Sequence, residues 1–296
     1  VKTLPGPALL FCPADRPDRY AKAAARADVV ILDLEDAVAP ERRAAAREAV
    51  LAADLDPQAT IVRVNPHGSP DFEADVAAVA RSPFRCVMLA KTETAAAVEA
   101  TAAATGAGVL ALVETPLGVV NAAAIAAADG CVGMMWGAED LVAGIGGLTA
   151  RYTPGEQSPG RIPGEYRDPP RHARSAVALA AAAYGRWAVD AVRFDIDDEP
   201  AQRAEALDAV ALGFSGTACI HPAQVAVIRA AYAPTPDQLA YARRVLAAAA
   251  EHDGVFRLDG RMIDGPILRQ SETIVRRARL QPDSTEGSAA PEGTNR

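Results

Sequence analysis

Ionisable side chains recur along this chain directly behind short apolar runs. Asp15 and Arg16 follow the run at 8–12, Glu35 and Asp36 follow 29–33, and Arg63 and Asn65 stand at the end of 61–64. Lys91 and Glu93 follow 86–89, Glu114 follows 109–113, Glu139 and Asp140 follow 132–136, and His221 follows 216–220. If these runs are strands sharing one rim, acids and bases converge there in a density that solvation alone does not require, although a merely solvated rim is the plainer account. Glu114 and Asp140, delivered by neighbouring runs, suit a hard divalent cation such as Mg2+. That ion takes oxygen ligands, keeps several waters and is typically held by one or two protein carboxylates plus substrate oxygens. An acid at a helix start also serves simply as a cap or macrodipole partner, which is the bland reading of Asp140. Arg63 ends an apolar run and needs an anion if it is partly buried. A substrate carboxylate gripped by its two-pronged guanidinium would meet that need, and so would an internal ion pair with Glu35 or Asp36.

The elements that must position these groups are legible as an alternation. Eight short apolar runs, the seven above and one at 191–194, alternate with Ala-rich helical stretches at 19–27, 40–53, 69–80, 94–105, 119–128, 171–184, 201–212 and 224–232. Continuous rather than alternating apolar runs suit strands covered on both faces, and strand–helix alternation is the pattern of a parallel α/β sheet. Eight pairs predict a TIM (β/α)8 barrel over residues 1–233, a fold whose chemistry sits at the carboxy ends of the strands. An open doubly wound sheet would ordinarily stop earlier and begin with a Gly-rich turn, and no GxGxxG or GxxxxGK[ST] follows the first run.

Thr235-Pro236 then starts a helix to about residue 251. A hairpin-like segment at 255–263 leads to a last helix opened by Pro266. Residues 234–279 therefore read as a small helical and hairpin extension, and 280–296, rich in Ser, Thr, Gly, Glu and Pro, as a disordered tail. The Gly/Pro-rich insertion at 152–170 is long for a barrel loop and predicts a functional lid or a mobile loop.

Composition narrows the class. With 296 residues, half of them hydrophobic, the chain can bury one barrel-sized core. A net charge of −8 without a Lys/Arg-dense run argues against nucleic acid. No uninterrupted apolar stretch long enough for a membrane span and no charged leader before an apolar segment point to a cytoplasmic protein with no membrane partner. Cys12, Cys86, Cys131 and Cys219 lie in or beside apolar runs without CxxC spacing, so they read as small buried fillers.

The ordered set Phe11-Cys12-Pro13-Ala14-Asp15-Arg16-Pro17, Leu32-Asp33-Leu34-Glu35-Asp36-Ala37, Val62-Arg63-Val64-Asn65, Leu89-Ala90-Lys91, Val113-Glu114-Thr115, Gly137-Ala138-Glu139-Asp140-Leu141 and Cys219-Ile220-His221-Pro222 resembles the citrate lyase beta-subunit-like family, which includes malyl-CoA and citramalyl-CoA lyases. The resemblance spans about residues 8 to 278. It departs at Ala90, where Pro is common, and at the insertion around 154–170. It implies a TIM barrel holding Mg2+ through Glu114 and Asp140 and a substrate carboxylate through Arg63. It further implies that Met262-Ile263-Asp264 carries the motif whose aspartate reaches a neighbouring subunit's site in a homotrimer, which makes Asp264 the candidate acid/base. The reaction implied is Mg2+-dependent carbon–carbon cleavage of a malyl-CoA or citramalyl-CoA type thioester to acetyl-CoA and a 2-oxo acid, with Glu35 and Asp36 as further catalytic candidates. Arg16 and Lys22 are candidates for the thioester carbonyl or CoA phosphates, Lys22 being equally well a helix-surface residue. Three alternatives stand beside this: an aldolase acting on free hydroxy acids, a citryl-thioester lyase subunit, and a non-catalytic metabolite-binding subunit.

Overall fold

Eight parallel strands pair in sequence order and close on themselves. They are β1 (Ala8–Pro13), β2 (Val29–Asp33), β3 (Thr60–Val64), β4 (Cys86–Leu89), β5 (Gly108–Val113), β6 (Cys131–Trp136), β7 (Trp187–Asp190) and β8 (Gly216–Cys219), with β1 pairing both β2 and β8. The structure, a computed structural model, describes residues 4–156, 160, 162–252 and 254–280. Two units are distinguished along the chain, residues 1–228 and 229–296.

Side chains alternate along a strand, and this decides what reaches the site. Leu9, Ile31, Ile61, Leu112, Met135, Val189 and Ala218 share one buried cluster inside the barrel. Two residues further along the same strands and the loops that follow them stand Phe11, Asp33, Arg63, Glu114, Gly137, Ala191 and Ile220, and all seven line a single cavity of about 360 Å3. The inward phase that builds the apolar core thus delivers the polar layer at its carboxy end.

The outer helices of the first unit are α1 (Tyr20–Ala24), α2 (Arg43–Leu51), α3 (Phe72–Arg81), α4 (Ala95–Thr105), α5 (Pro116–Val120), α6 (Ala122–Ala127), α7 (Glu139–Gly144), α8 (Asp168–Ala183) and α9 (Glu199–Leu212), while α10 (Pro222–Tyr232) runs across the boundary between units. Three differ from the sequence reading. The helix expected at 19–27 is one 3-10 turn, Pro17–Arg19, followed by the short α1. The stretch at 119–128 is two helices: Thr115 caps α5, and the break falls at Asn121, whose amide donates to the Glu93 carbonyl at 2.9 Å. The short α7, unanticipated, carries Asp140 in its first turn.

The seventh strand also needs correcting. It occupies Trp187–Asp190 rather than 191–194, because α8 ends at Ala183 and Gly185, at φ 63°, turns the chain straight into Trp187. The apolar Ala191, Val192 and Phe194 that suggested a strand line the cavity instead. Arg193 within that run is buried and paired with Glu205 at 2.7 Å and Asp198 at 2.8 Å. Asp190, now a strand end, accepts the Trp136 indole N–H at 2.6 Å and a two-pronged grip from Arg174.

Residues 157–159 and 161 of the insertion lie outside the described residues. What is described is anchored: Arg151 bridges to Tyr166, sets its guanidinium 3.7 Å over that ring, and pairs with Glu205 at 2.5 Å. All four cysteines are buried and outside any disulfide, as small core fillers would be. No helix among the described residues is long and apolar enough to cross a membrane.

In the second unit α11 (Pro236–Ala249) begins at a capping box of Thr235 and Gln238. The hairpin β9 (Phe256–Leu258) and β10 (Arg261–Ile263) turns over Asp259-Gly260, both left-handed as a two-residue hairpin loop requires. Val245, Phe256 and Ile263 form its core. Asp264 caps α12 (Gly265–Arg279) by accepting the Ile267 N–H at 3.4 Å. The tail expected at 280–296 lies, beyond Leu280, outside the described residues.

Candidate active site

At the end of β3, Arg63 meets its anion inside the protein. Its Nε and Nη2 donate to the two oxygens of Asp33 on β2 at 2.7 and 2.6 Å, a fork-on-carboxylate pairing made possible by the direct register of Asp33 with Arg63. Nη1 lies 3.0 Å from Glu35 Oε2. The guanidinium also stands over the Phe11 ring at 5.0 Å. Burial alone would push Arg63 down, but the hydrogen bonds and charges of Asp33 and Glu35 outweigh it and hold it protonated. Glu35 is pushed up by burial, against the pull of Arg63 and Lys91. Its Oε2 is buried and makes no hydrogen bond, since the approach of Arg63 is close without being aligned.

Glu114, at the end of β5, is buried to 4% exposure. Burial and the negative charge of Asp140 push its carboxyl up to about 8, so its ionised form lacks a sufficient counter-charge. Gly137 makes room for it: a Cβ there would come within 2.8 Å of Glu114 Oε2. Lys91, at the end of β4, donates its backbone N–H to Glu114 Oε1 at 3.0 Å. Its ammonium reaches Glu35 at 2.5 Å, Asp140 at 3.4 Å and Asp36 at 3.5 Å.

The geometry therefore gathers Glu35, Asp36, Arg63, Glu114 and Asp140 from four strand ends. It also assigns places to three residues that strand-end reading passed over or left without a role. Asp33 is hidden as the last letter of an apolar run, although an acid two residues after buried Ile31 is in the inward phase. Gly137 carries no functional group and shows itself only through the atom it leaves room for. Lys91 was on the rim, but its double contact depends on a backbone conformation that sequence does not display.

Other candidates lie elsewhere. Arg16 is half-buried and clasps Asp18 at 2.9 and 2.8 Å, and Lys22 is exposed on α1; neither lines the cavity. Asn65 is structural, its amide bonded to Asp75 at 2.7 Å and the Leu34 carbonyl at 3.0 Å. Asp264 belongs to the second unit.

The cluster sets five carboxylates, Asp33, Glu35, Asp36, Glu114 and Asp140, against the cations Arg63 and Lys91. A hard dication fits this excess, the orphaned Glu35 oxygen and the all-oxygen donor set. Among the described residues no three His, Cys, Asp or Glu side chains are poised to cage a metal by themselves, so such an ion would complete its shell from waters and substrate, which is the habit of Mg2+.

Comparison with known proteins follows the same line. The profile of a family described as HpcH/HpaI aldolase/citrate lyase matches residues 8–222. The chain is 52% identical over 273 residues to a citrate lyase subunit beta-like protein of Mycobacterium tuberculosis, covering 92% of this chain and 96% of that protein. It matches the crystal structure of protein CitE from the same organism, in complex with magnesium, acetoacetate and coenzyme A, with a TM-score of 0.83 and 52% identity over 93% of this chain and 98% of that one. It is 33% identical over 266 residues to a (3S)-malyl-CoA thioesterase of Cereibacter sphaeroides, covering 86% of this chain and 88% of that protein.

Proposed function

Because the chain belongs to the HpcH/HpaI aldolase/citrate lyase family and is a carbon–carbon lyase, we propose that it cleaves a 3-hydroxyacyl-CoA thioester of the malyl-CoA or citramalyl-CoA type into acetyl-CoA and a 2-oxo acid. The observation that carries this reading is the buried Glu114 beside Asp140, in a cavity that Arg63 also lines. Glu114 and Asp140 would hold Mg2+, as the magnesium complex of the Mycobacterium relative supports. When bound, the ion supplies Lewis-acid stabilisation for negative charge developing on substrate oxygens.

The chain's own residues do the rest. Arg63, which lines the cavity, commits two of its five N–H groups to Asp33 and sets Nη1 beside Glu35; the donors it has left bind the acid's carboxylate. Asp33 fixes the plane of that guanidinium, so the carboxylate is received in one orientation. Asp36, on the cavity wall, takes the 3-hydroxyl proton as the carbon–carbon bond breaks. The electron pair of that bond passes to the thioester α-carbon, and Asp264, in its acid form, returns a proton there to complete acetyl-CoA. By the resemblance, Asp264 does so in a neighbouring subunit of a homotrimer. Arg16 and Lys22 are offered for the CoA phosphates.

A second reading is thioester hydrolysis, favoured by the likeness to the malyl-CoA thioesterase. Incubating the protein with malyl- and citramalyl-CoA and Mg2+ separates the two: the lyase yields glyoxylate or pyruvate with acetyl-CoA, the hydrolase yields free CoA and the hydroxy diacid. Asp264→Asn is expected to retain Mg2+ and 2-oxo acid binding and lose most turnover. Release of free CoA alone, or near-normal turnover by that variant, overturns the proposal.

A further inference from the structure

Lys91 is the one non-glycine residue of the barrel unit, among those described, whose backbone is left-handed, at φ 48°. An L side chain other than Asn or Asp rarely sits there, and such outliers persist where surrounding contacts impose them. Here the imposed contacts are two. The backbone N–H grips Glu114 Oε1 at 3.0 Å, and the ammonium stands 3.4 Å from Asp140 Oδ1, so a single residue touches both proposed metal carboxylates. The same ammonium is held by Glu35 at 2.5 Å and Asp36 at 3.5 Å. Lys91 is not itself among the residues lining the cavity; it backs the carboxylates that do.

Resting on the reading of the site given above, we propose that Lys91 is a positioning residue that works against the metal ion: its backbone orients Glu114, while its ammonium offsets the charge of Asp140, Asp36 and Glu35 and so keeps the divalent cation weakly bound until an anionic 2-oxo acid joins it. The physical reason is the charge balance. An ion on Asp140 shares that carboxylate with the ammonium, and like charges so close repel strongly even under partial screening. The same positive charge favours the anionic acid, which would otherwise enter a cluster dominated by carboxylates. Metal and acid are thereby coupled, each binding better with the other present.

The test is calorimetric titration of the full chain with Mg2+ alone, and with pyruvate or oxaloacetate at saturating Mg2+. Lys91→Met keeps the backbone N–H and removes the charge, and is expected to tighten Mg2+ about tenfold or more while weakening the 2-oxo acid at least fivefold. Lys91→Arg should return both affinities towards the wild-type values. Lys91→Gly, at ease with a positive φ, repeats the charge removal if the Met variant fails to fold. A purely structural lysine would lower thermal stability without opposite shifts in the two affinities. That result, or shifts of the same sign, overturns the proposal. Because affinities are read rather than turnover, failure of the lyase reading shows separately, as a wild-type protein that binds these ligands and cleaves no thioester.

Discussion

Glu114 holds a proton that the unfolded chain does not. Its carboxyl is pushed up to about 8 by burial and by Asp140, whereas a free glutamate ionises near 4.3. Between those values the folded protein binds the extra proton, so the stability Glu114 lends is complete at low pH and is lost as pH rises through about 8. In chelator the melting temperature is expected to decline across that window, and Glu114→Gln should lack this component. Metal binding follows with the opposite sense. If Glu114 is a ligand, as proposed, each Mg2+ displaces the proton, so its affinity should climb about tenfold per pH unit up to about 8 and then level off, with one proton released per ion. Calorimetry in buffers of different ionisation enthalpy measures both quantities, and a flat pH profile would remove Glu114 from the ligand set.

At the scale of elements, the turn from β6 into α7 governs the proposed metal pair, since Gly137 lies in that turn and Asp140 in the first turn of the helix it opens. Gly137→Ala puts a methyl group 2.8 Å from Glu114 Oε2. The carboxylate must turn away, so Mg2+ affinity should drop by at least tenfold, while far-UV circular dichroism stays that of the parent. Unaltered affinity would mean that Glu114 does not need this space. Reading strand ends found Arg63 and Glu114 but passed over Asp33, although all three stand two residues beyond the buried Ile61, Leu112 and Ile31, in the inward phase that local alternation sets. The seventh strand was not readable, because Trp187-Ala188-Val189 and Ala191-Val192 are equally apolar. What separates them is the turn at Gly185 and pairing with β6 and β8.

For the whole molecule, the resemblance predicts that one chain's Asp264 completes another chain's site, and mixed oligomers test this directly. Glu114→Gln and Asp264→Asn variants, each inactive alone, should regain about a quarter of wild-type activity when co-refolded in equal amounts, because half the sites keep Glu114 and half of those receive an intact Asp264. Persistent inactivity would place both residues in one chain's own site. The order and number of the barrel strands, the polar layer at their carboxy ends and the extension after Thr235 were all determined by the sequence, through periodicities and caps that span only a few residues. The tertiary structure alone decided that Arg63 spends its fork on Asp33, thirty residues away, that Gly137 clears space for Glu114, and that Lys91 backs four carboxylates at once. Those choices depend on distances across the barrel mouth between groups far apart in the chain, and hydrophobic pattern carries no record of them.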